Sequence, residues 1–147
     1  MLIRRYAPDD FDAVTDLWRR ARVQAFPEVQ ARLGYTLEDD RTYFREVVLV
    51  KHAVWVAELG DHPVAFMAMA DDFIDQLFVA PEHQRCGIGG ALLDHARALS
   101  RSGLRLFTFQ INTGARAFYE RQGFVVARLG VSPPPESEPD VEYHWRP

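Results

Sequence analysis

The chain has 147 residues, a length that suits one domain with a hydrophobic core of ordinary size. It contains 48% hydrophobic and 26% charged residues, and no apolar run approaches the roughly 20 residues needed to cross a bilayer, so a membrane protein is not expected. The net charge of −4 argues against general nucleic-acid binding, which normally requires a basic face, and weakly favours a cationic small substrate.

The N-terminus and the cysteine content bear on the cellular compartment. The first residues lack the apolar segment and cleavage site of an export signal. Cys86 is the only cysteine, which excludes an intrachain disulfide and fits a reducing environment. We therefore expect a cytoplasmic protein.

The first third of the chain predicts one strand and two helices. Residues 2–6 predict a short strand, and the Pro-Asp-Asp segment after it supplies cap residues for a helix that Pro27 ends or kinks. A second helix is predicted from Thr36, with Asp39 three residues later as a variant of the capping box. Residues 28–35, between the two helices, show no definable pattern.

Three successive strands are predicted next. The segments 53–59 and 63–69 are apolar and flank a Gly-Asp-His turn, and 73–79 follows after a second turn. An amphipathic helix comes after a glycine-rich loop, and Gly103 is expected to cap its C-terminus. Since a helix connects 73–79 to the next strand, 104–111, these two strands are expected to run parallel.

The glycine-rich loop predicts an anion site. It comprises Gln84, Arg85, Cys86, Gly87, Ile88, Gly89 and Gly90. A helix start presents main-chain N–H groups without intrahelical partners and about half a positive charge. The glycines remove side chains that would keep a phosphate from those groups, and Arg85 adds a full positive charge.

Several types of glycine-rich loop can be compared with this segment. A nucleoside-triphosphate P-loop requires Lys followed by Ser or Thr, where this chain has Ala91 and Leu92. A dinucleotide-binding loop requires a small residue three positions after Gly89, where Leu92 stands, and an acidic residue about 20 positions further on. On the loop alone, a turn that only joins a strand to a helix remains an alternative.

A second motif follows the strand 104–111. Its residues are Asn112, Ala115, Phe118, Tyr119, Glu120, Gly123 and Phe124. Asn112 can cap a short helix and Gly123 can adopt the left-handed conformation that closes it. This motif is similar to the N-x-x-A-x-x-F-Y-E-x-x-G-F signature of the GNAT acyltransferase family. The glycine-rich loop resembles the same family's Q/R-x-x-G-x-G/A loop, which binds the pyrophosphate of acyl-coenzyme A.

The resemblance implies a fold for the whole chain. It implies a single GNAT domain over residues 1–147, of the α/β (α+β) class, with a mixed, mostly antiparallel twisted sheet of six to seven strands and about four flanking helices. The strands 73–79 and 104–111 would form a parallel, splayed pair. The last strands, 125–130 and 141–145, are joined by a loop rich in proline and glutamate.

The resemblance also implies an activity, namely acetyl transfer from acetyl-coenzyme A to a primary amine by direct attack in a ternary complex. The acceptor would be a small molecule or a peptide. A protein N-terminal or lysine acetyltransferase and a non-catalytic acyl-coenzyme A sensor are the alternatives. A homodimer is a further expectation, because dimers are common in the family. No metal is expected, since the five histidines lack the spacing of metal ligands.

The residues expected to bind the cofactor lie in the two motifs and in the strand before the loop. They are Leu77, Phe78, Val79, Gln84, Arg85, Cys86, Gly87, Ile88, Gly89, Gly90 and Asn112. The main chain of the three strand residues would pair with the pantetheine arm, and the N–H of Val79 would polarise the thioester carbonyl. Cys86 occupies a variable position of the loop and is not expected to be a nucleophile.

Two residues are the candidates for catalysis. Asp75 would accept the proton of the amine, because strand alternation puts it on the same face as Leu77 and Val79. Glu58 and Asp72 are possible substitutes, and a surface carboxylate is the alternative interpretation of Asp75. Tyr119 would protonate the departing thiolate, the alternative being an aromatic residue that only packs.

Overall fold

The computed structural model describes residues 1–147, which form one seven-stranded sheet with helices on both faces. The strands are β1 (Leu2–Arg5), β2 (Ala53–Leu59), β3 (His62–Ala70), β4 (Phe73–Val79), β5 (Leu104–Phe109), β6 (Val125–Val131) and β7 (Pro139–Trp145). Their order in the sheet is β1-β2-β3-β4-β5-β7-β6. All neighbouring strands pair antiparallel except β4 and β5, which are parallel. The expected mixed sheet with one parallel pair is confirmed.

The helices are α1 (Phe11–Ala25), α2 (Pro27–Leu33), α3 (Leu37–Tyr43), α4 (Leu49–Lys51), α5 (Ile88–Leu99) and α6 (Thr113–Arg121). A π-helical turn, Phe44–Val48, joins α3 to α4 without a break, so the fold has five separate helices. No helix is long and apolar enough to span a membrane.

Local capping chemistry accounts for two of the helix starts. At the start of α3 the N–H of Asp39 donates to Thr36 Oγ1 at 3.1 Å, and the N–H of Thr36 donates to the Asp39 carboxylate at 2.9 Å. At the start of α6 the N–H of Ala115 donates to Asn112 Oδ1 at 3.2 Å. In both caps a side chain accepts from a main-chain N–H of the first helical turn that has no partner within the helix, as the sequence predicted.

Two segments differ from the sequence-based expectation. Most of the segment 28–35, in which the sequence shows no definable pattern, forms the helix α2. This helix begins at Pro27 with no side-chain cap, and Gly34, with φ of 68°, follows its last residue. The expectation that Gly103 caps α5 is wrong, because α5 ends at Leu99 and Ser100 is its C-cap. Gly103 has φ of 152°, and a Cβ there would lie 2.9 Å from the carbonyl oxygen of Trp145, so packing against β7 requires glycine.

The sheet separates two hydrophobic cores. One core lies under α5 and α6 and includes Leu92, Ala96, Leu106 and Tyr143. The other lies under α1 and the α3–α4 segment, and it includes Phe66, against which Phe78 packs. The first core fixes the helix that follows the glycine-rich loop, while the second core leaves space between helices and sheet for a cavity.

Candidate active site

The parallel pair separates soon after it forms. β4 and β5 are in register only at Phe73 with Arg105 and at Ile74 with Leu106. Beyond these positions β4 continues to Val79 without a partner on that side, although its other edge pairs with β3 throughout. The result is a V-shaped cleft with an open strand edge along one wall.

The hydrogen-bond pattern of β4 shows which main-chain groups face this cleft. The N–H of Ala80 donates to the carbonyl of Val64 at 2.8 Å, next to the register pair Ala65 and Val79. Because pairing alternates along an antiparallel strand, the main-chain groups of Leu77 and Val79 point to the cleft, while those of Phe78 point to β3. Of the three strand residues expected to pair with a pantetheine arm, Leu77 and Val79 have main-chain groups that face the cleft and Phe78 does not.

The cleft leads to a row of free donors in the glycine-rich loop. None of the main-chain N–H groups from Arg85 to Gly90 donates to a protein acceptor, and the next one along, that of Ala91, bonds to the Gly87 carbonyl at 3.0 Å. Gly87 caps α5 with φ of 87°, and Arg85 has φ of 63°. The Arg85 side chain is exposed and forms no ion pair, so its charge is available. Six unpaired N–H groups and a free guanidinium at a helix start are the kind of donors that bind anions in proteins.

The three glycines of this loop have different structural roles. A Cβ at Gly87 would meet nothing within 4 Å, so its positive φ explains glycine there. A Cβ at Gly89 would lie 3.0 Å from Phe118 Cζ, and one at Gly90 would lie 3.3 Å from Gln122 Nε2. The last two glycines therefore let α6 approach α5 closely, a reason additional to access for a phosphate.

The remaining loop residues are held by neighbouring groups. Gln84 Nε2 donates to the Val79 carbonyl at 3.1 Å and to Gln24 Oε1 at 2.8 Å, which ties the loop to the end of β4 and to α1. Cys86 is exposed and its thiol donates to the His83 carbonyl at 2.6 Å. No histidine or carboxylate contacts this thiol in a way that would activate it as a nucleophile.

A cavity of about 1310 Å³ opens on the α1 and α2 side of the cleft. Both candidate catalytic residues, Asp75 and Tyr119, line it, as do Asn112 and the strand residues Leu77 and Phe78. The structure thus brings two of the three predicted strand residues, the predicted acid and the predicted base to one space, whereas Val79 and the predicted loop residues 84–90 do not line it. Glu58 and Asp72 are not among its lining residues and are held in ion pairs, with Arg4 at 2.9 Å and Arg105 at 3.1 Å.

Asp75 does not share a face of the sheet with Leu77 and Val79, so the prediction from strand alternation is wrong. In the β3–β4 ladder Met69 is opposite Ile74 and Ala68 is opposite Gln76, so Asp75 is the extra residue of a β-bulge. The bulge turns Asp75 to the side of α1 and α3, while Leu77 packs against the core under α5. Asp75 still lines the cavity, on the face of the sheet opposite the core under α5 and α6.

His52 is a residue near Asp75 that the sequence did not single out. Its Nε2 lies 3.7 Å from Asp75 Oδ2, and its Nδ1 lies 3.0 Å from the carbonyl oxygen of Val48. The backbone carbonyl fixes a proton on Nδ1, because a carbonyl can only accept. Gln76 Nε2 donates to the same carboxylate oxygen of Asp75 at 3.1 Å. Asp75 therefore lies next to Gln76 and His52. The sequence could not show the proximity of His52, because it comes from a distant segment of the chain.

Tyr119 lies under the cleft with its ring packed and its hydroxyl free. It is 7% exposed and its ring contacts Phe118, Phe124 and Tyr143, with centroids 5.1, 5.6 and 6.1 Å away. Its hydroxyl has no hydrogen-bond partner within the protein. Burial raises the pKa of Tyr119 above its ordinary value, because the phenolate would lose hydration. The side chain is therefore a neutral phenol with an available proton.

An ion cluster stabilises the opposite wall of the cavity. Asp40, 2% exposed, accepts from Arg19 Nη1 at 2.7 Å and lies 2.5 Å from Arg22 Nη2. The Arg22 guanidinium stacks over the Trp18 ring, 3.9 Å from its centroid. Burial lowers the pKa of Arg22, and the nearby Asp40 carboxylate offsets only part of that decrease. This cluster joins α1 to α3 and fixes the wall.

No three His, Cys, Asp or Glu side chains come together as a metal-binding group would require.

Comparison with known proteins identifies relatives of this arrangement. A family model described as acetyltransferase (GNAT) domain matches residues 50–126. An N-acetyltransferase of Escherichia coli K12, YafP, described as uncharacterized, is 33% identical over 83% of this chain and 79% of its own length. The peptidyl-lysine N-acetyltransferase YjaB of Salmonella typhimurium is 32% identical over 84% of this chain and 83% of its own length.

Solved structures are similar over nearly the whole chain. The solution structure of apo YjaB from Escherichia coli has a TM-score of 0.80 at 26% identity and covers 98% of this chain and 96% of its own. The putative acetyltransferase yncA from Salmonella typhimurium, solved with its cofactor acetyl-CoA, has a TM-score of 0.73. Its identity is 17%, with 99% of this chain and 93% of its own covered, so this second likeness shows the fold alone.

Proposed function

The chain belongs to the GNAT acetyltransferase family, and from this premise we propose that it is an acetyl-coenzyme A-dependent N-acetyltransferase that acts on a primary amine. Residues 1–147 would act as one catalytic domain. The observation that carries the proposal is the open edge of β4 beyond Ile74 together with the six free N–H groups between Arg85 and Gly90, in a loop that Gln84 ties to the end of β4. An extended arm with a diphosphate at one end matches this arrangement in shape and chemistry.

The residues present fit coenzyme A. The free N–H groups from Arg85 to Gly90 and the Arg85 side chain are donors for a diphosphate. The main chain of Leu77 and the N–H of Val79 are unpaired on the cleft side, while the Val79 carbonyl accepts from Gln84 Nε2. This edge can bond an amide-containing arm as an added strand would. Coenzyme A supplies the acyl group as a thioester, which is activated for attack by an amine. Asn112 would contact the arm from the other wall while it caps α6.

The reaction joins the amine nitrogen to the acyl carbon and breaks the carbon–sulfur bond, so the amine must lose a proton and the sulfur must gain one. For a lysine-like amine of pKa near 10.4, deprotonation at pH 7 costs about 4.6 kcal/mol. Asp75 is our candidate to accept that proton, directly or through a water, since it lines the cavity and accepts a hydrogen bond from Gln76 that orients it.

Tyr119 is our candidate acid. Its free hydroxyl and raised pKa keep a proton available at the inner end of the cleft. The burial that raises the pKa of the phenol also disfavours the departing thiolate, so two groups of ordinary pKa about 10 and about 8.5 can exchange a proton in a site shielded from water. The N–H of Val79 points to the cleft and would stabilise the negative charge on the carbonyl oxygen during attack.

A peptidyl amine is the second candidate acceptor. It is favoured by the relatives named peptidyl-lysine N-acetyltransferase, which are 28% to 32% identical to this chain. A lysine side chain carries the same primary amine as a small molecule, so the chemistry of Asp75 and Tyr119 applies to both acceptors. A sensor that binds acyl-coenzyme A without turnover would leave the acid and base without use.

Thiol release from acetyl-coenzyme A, measured with small amines and lysine peptides, tests the proposal. An enzyme releases free thiol in proportion to acetylated amine, and Asp75→Asn should lower that rate. A chain that binds the thioester and releases no thiol with any acceptor would be a sensor and would refute the proposal.

A further inference from the structure

Asp140 is a buried carboxylate at the edge of the cavity. It is 7% exposed and lies in β7, opposite Phe109 of β5 and Gly130 of β6. Its neighbours Val141 and Tyr143 point into the core under α5 and α6. Strand alternation therefore turns Asp140 to the other face of the sheet, where it lines the cavity.

No other residue is a partner for this carboxylate. It forms no ion pair and accepts no side-chain hydrogen bond, while its main-chain carbonyl accepts from Gln110 Nε2 at 3.1 Å. The nearby Arg128 guanidinium is 71% exposed at the side chain and donates to Glu142 at 2.8 Å. Burial raises the pKa of Asp140, and the positive charge of Arg128 offsets only part of that rise. A buried carboxylate without a partner is costly for a fold to keep.

The walls around Asp140 favour a cation. Six carboxylates and two guanidinium groups line the cavity. Both guanidinium groups are already paired, that of Arg22 with Asp40 and that of Arg128 with Glu142. Next to Asp140 the rings of Phe26 and Phe109 meet edge to face at 5.0 Å, and aromatic faces attract ammonium groups.

We propose that Asp140 binds a second ammonium group of the acceptor, so that the preferred acceptors are diamines or oligoamines. This inference rests on the proposed function and assigns the substrate class of the same cavity. One amine of the substrate reaches Asp75 and loses its proton, while the other stays protonated on Asp140. Both carboxylates line one continuous space.

The sheet geometry sets the required length of the substrate. Asp75 follows Ile74, which pairs with Leu106, and Asp140 pairs with Phe109, so the two carboxylates are two strands and about two residues apart. With strands about 4.8 Å apart and about 3.3 Å per residue, the separation is at least about 12 Å, since β4 and β5 splay. Longer diamines should therefore be better acceptors than ethylenediamine.

The test compares diamines with monoamines of equal chain length, using acetyl-coenzyme A as donor. Octamethylenediamine should exceed octylamine in kcat/KM for the natural chain. Asp140→Asn keeps the shape and removes the charge, and should lower kcat/KM for the diamine by about ten- to a hundredfold, the range of a charge-assisted hydrogen bond. The octylamine value and the KM for acetyl-coenzyme A should not change. Glu46→Gln is the matched control, because this exposed carboxylate also lines the cavity and forms no ion pair.

Calorimetric titration of the free chain with the same two amines separates this inference from the proposed function. Binding of the diamine that weakens in Asp140→Asn, in a chain that acetylates nothing, would support the cation site and refute the acetyltransferase. Acetylation of lysine peptides or monoamines at rates that Asp140→Asn does not alter, with no preference for the diamine, would overturn the inference. Equal losses for octamethylenediamine and octylamine would also overturn it, because they would indicate a structural role for Asp140.

Discussion

Replacing Tyr119 by phenylalanine isolates the proposed acid from the packing around it. The ring contacts with Phe118, Phe124 and Tyr143 remain, and the lost hydroxyl has no partner in the protein. The free energy of unfolding should therefore change by less than about 1 kcal/mol. The turnover rate should fall by about a hundred- to ten-thousandfold, the usual contribution of a positioned acid, equal to about 3 to 5 kcal/mol of barrier.

The assay is steady-state thiol release with a saturating amine, paired with thermal unfolding and with coenzyme A titration of the same samples. Tyr143→Phe is the control. The Tyr143 hydroxyl donates to Glu120 at 2.6 Å and accepts from Arg116 at 3.2 Å, and this residue does not line the cavity. Tyr143→Phe should lose about 1 kcal/mol of stability and keep its turnover rate. A normal rate in Tyr119→Phe would refute the role of Tyr119, whatever its stability.

The pH dependence of stability follows from the environment of Tyr119. Burial raises the pKa of Tyr119, so the folded chain keeps this proton more tightly than the unfolded chain does. Its stabilising effect is fully present below the unfolded pKa of about 10 and is lost as the pH rises through the folded pKa. The loss of stability above pH 10 should be smaller in Tyr119→Phe, as measured by denaturant unfolding at a series of pH values.

Two further predictions concern stability. Asp40→Asn should lower the free energy of unfolding by about 3 to 5 kcal/mol, because it leaves the buried charge of Arg22 and the half-buried charge of Arg19 without their carboxylate. A loss under about 1 kcal/mol in denaturant unfolding would contradict this. Gly103→Ala should lower the melting temperature, because a Cβ there would lie 2.9 Å from the Trp145 carbonyl oxygen at a φ of 152°. An unchanged melting temperature would mean that β7 can move away at no cost in stability.

Much of the fold could be predicted because local chemistry determines it. The capping pair Thr36 and Asp39, the cap at Asn112 and the crossover between β4 and β5 all depend on short stretches of sequence. Pro27 at the first position of α2 and Gly34 after its last residue are ordinary helix signals, but Pro27 was interpreted only as the end of α1. The seven residues between them show too few periods of an apolar pattern to reveal the helix. Its existence depends on packing against α1.

The site was less predictable, because three of its features depend on contacts between distant segments. The bulge at Asp75 adds a residue that an alternating pattern cannot show. His52 reaches Asp75 only through the turn between α4 and β2. Asp140 stands in a segment rich in proline and glutamate that predicts a solvated loop, and it is buried because β7 lies between β5 and β6.

The central claim is that the main-chain N–H groups between Arg85 and Gly90 bind a diphosphate, and calorimetric titration tests it most directly. We predict that the chain binds coenzyme A much more tightly than pantetheine, which lacks the diphosphate and the phosphorylated adenosine attached to it, and a substitution in the loop then assigns the diphosphate part of the difference. Arg85→Ala should weaken coenzyme A binding by about ten- to a hundredfold, and pantetheine binding should not change. Arg101→Ala, which removes an exposed arginine beyond the other end of α5, should bind as the natural chain does. Equal affinity for coenzyme A and pantetheine, or no heat with either, would contradict the account.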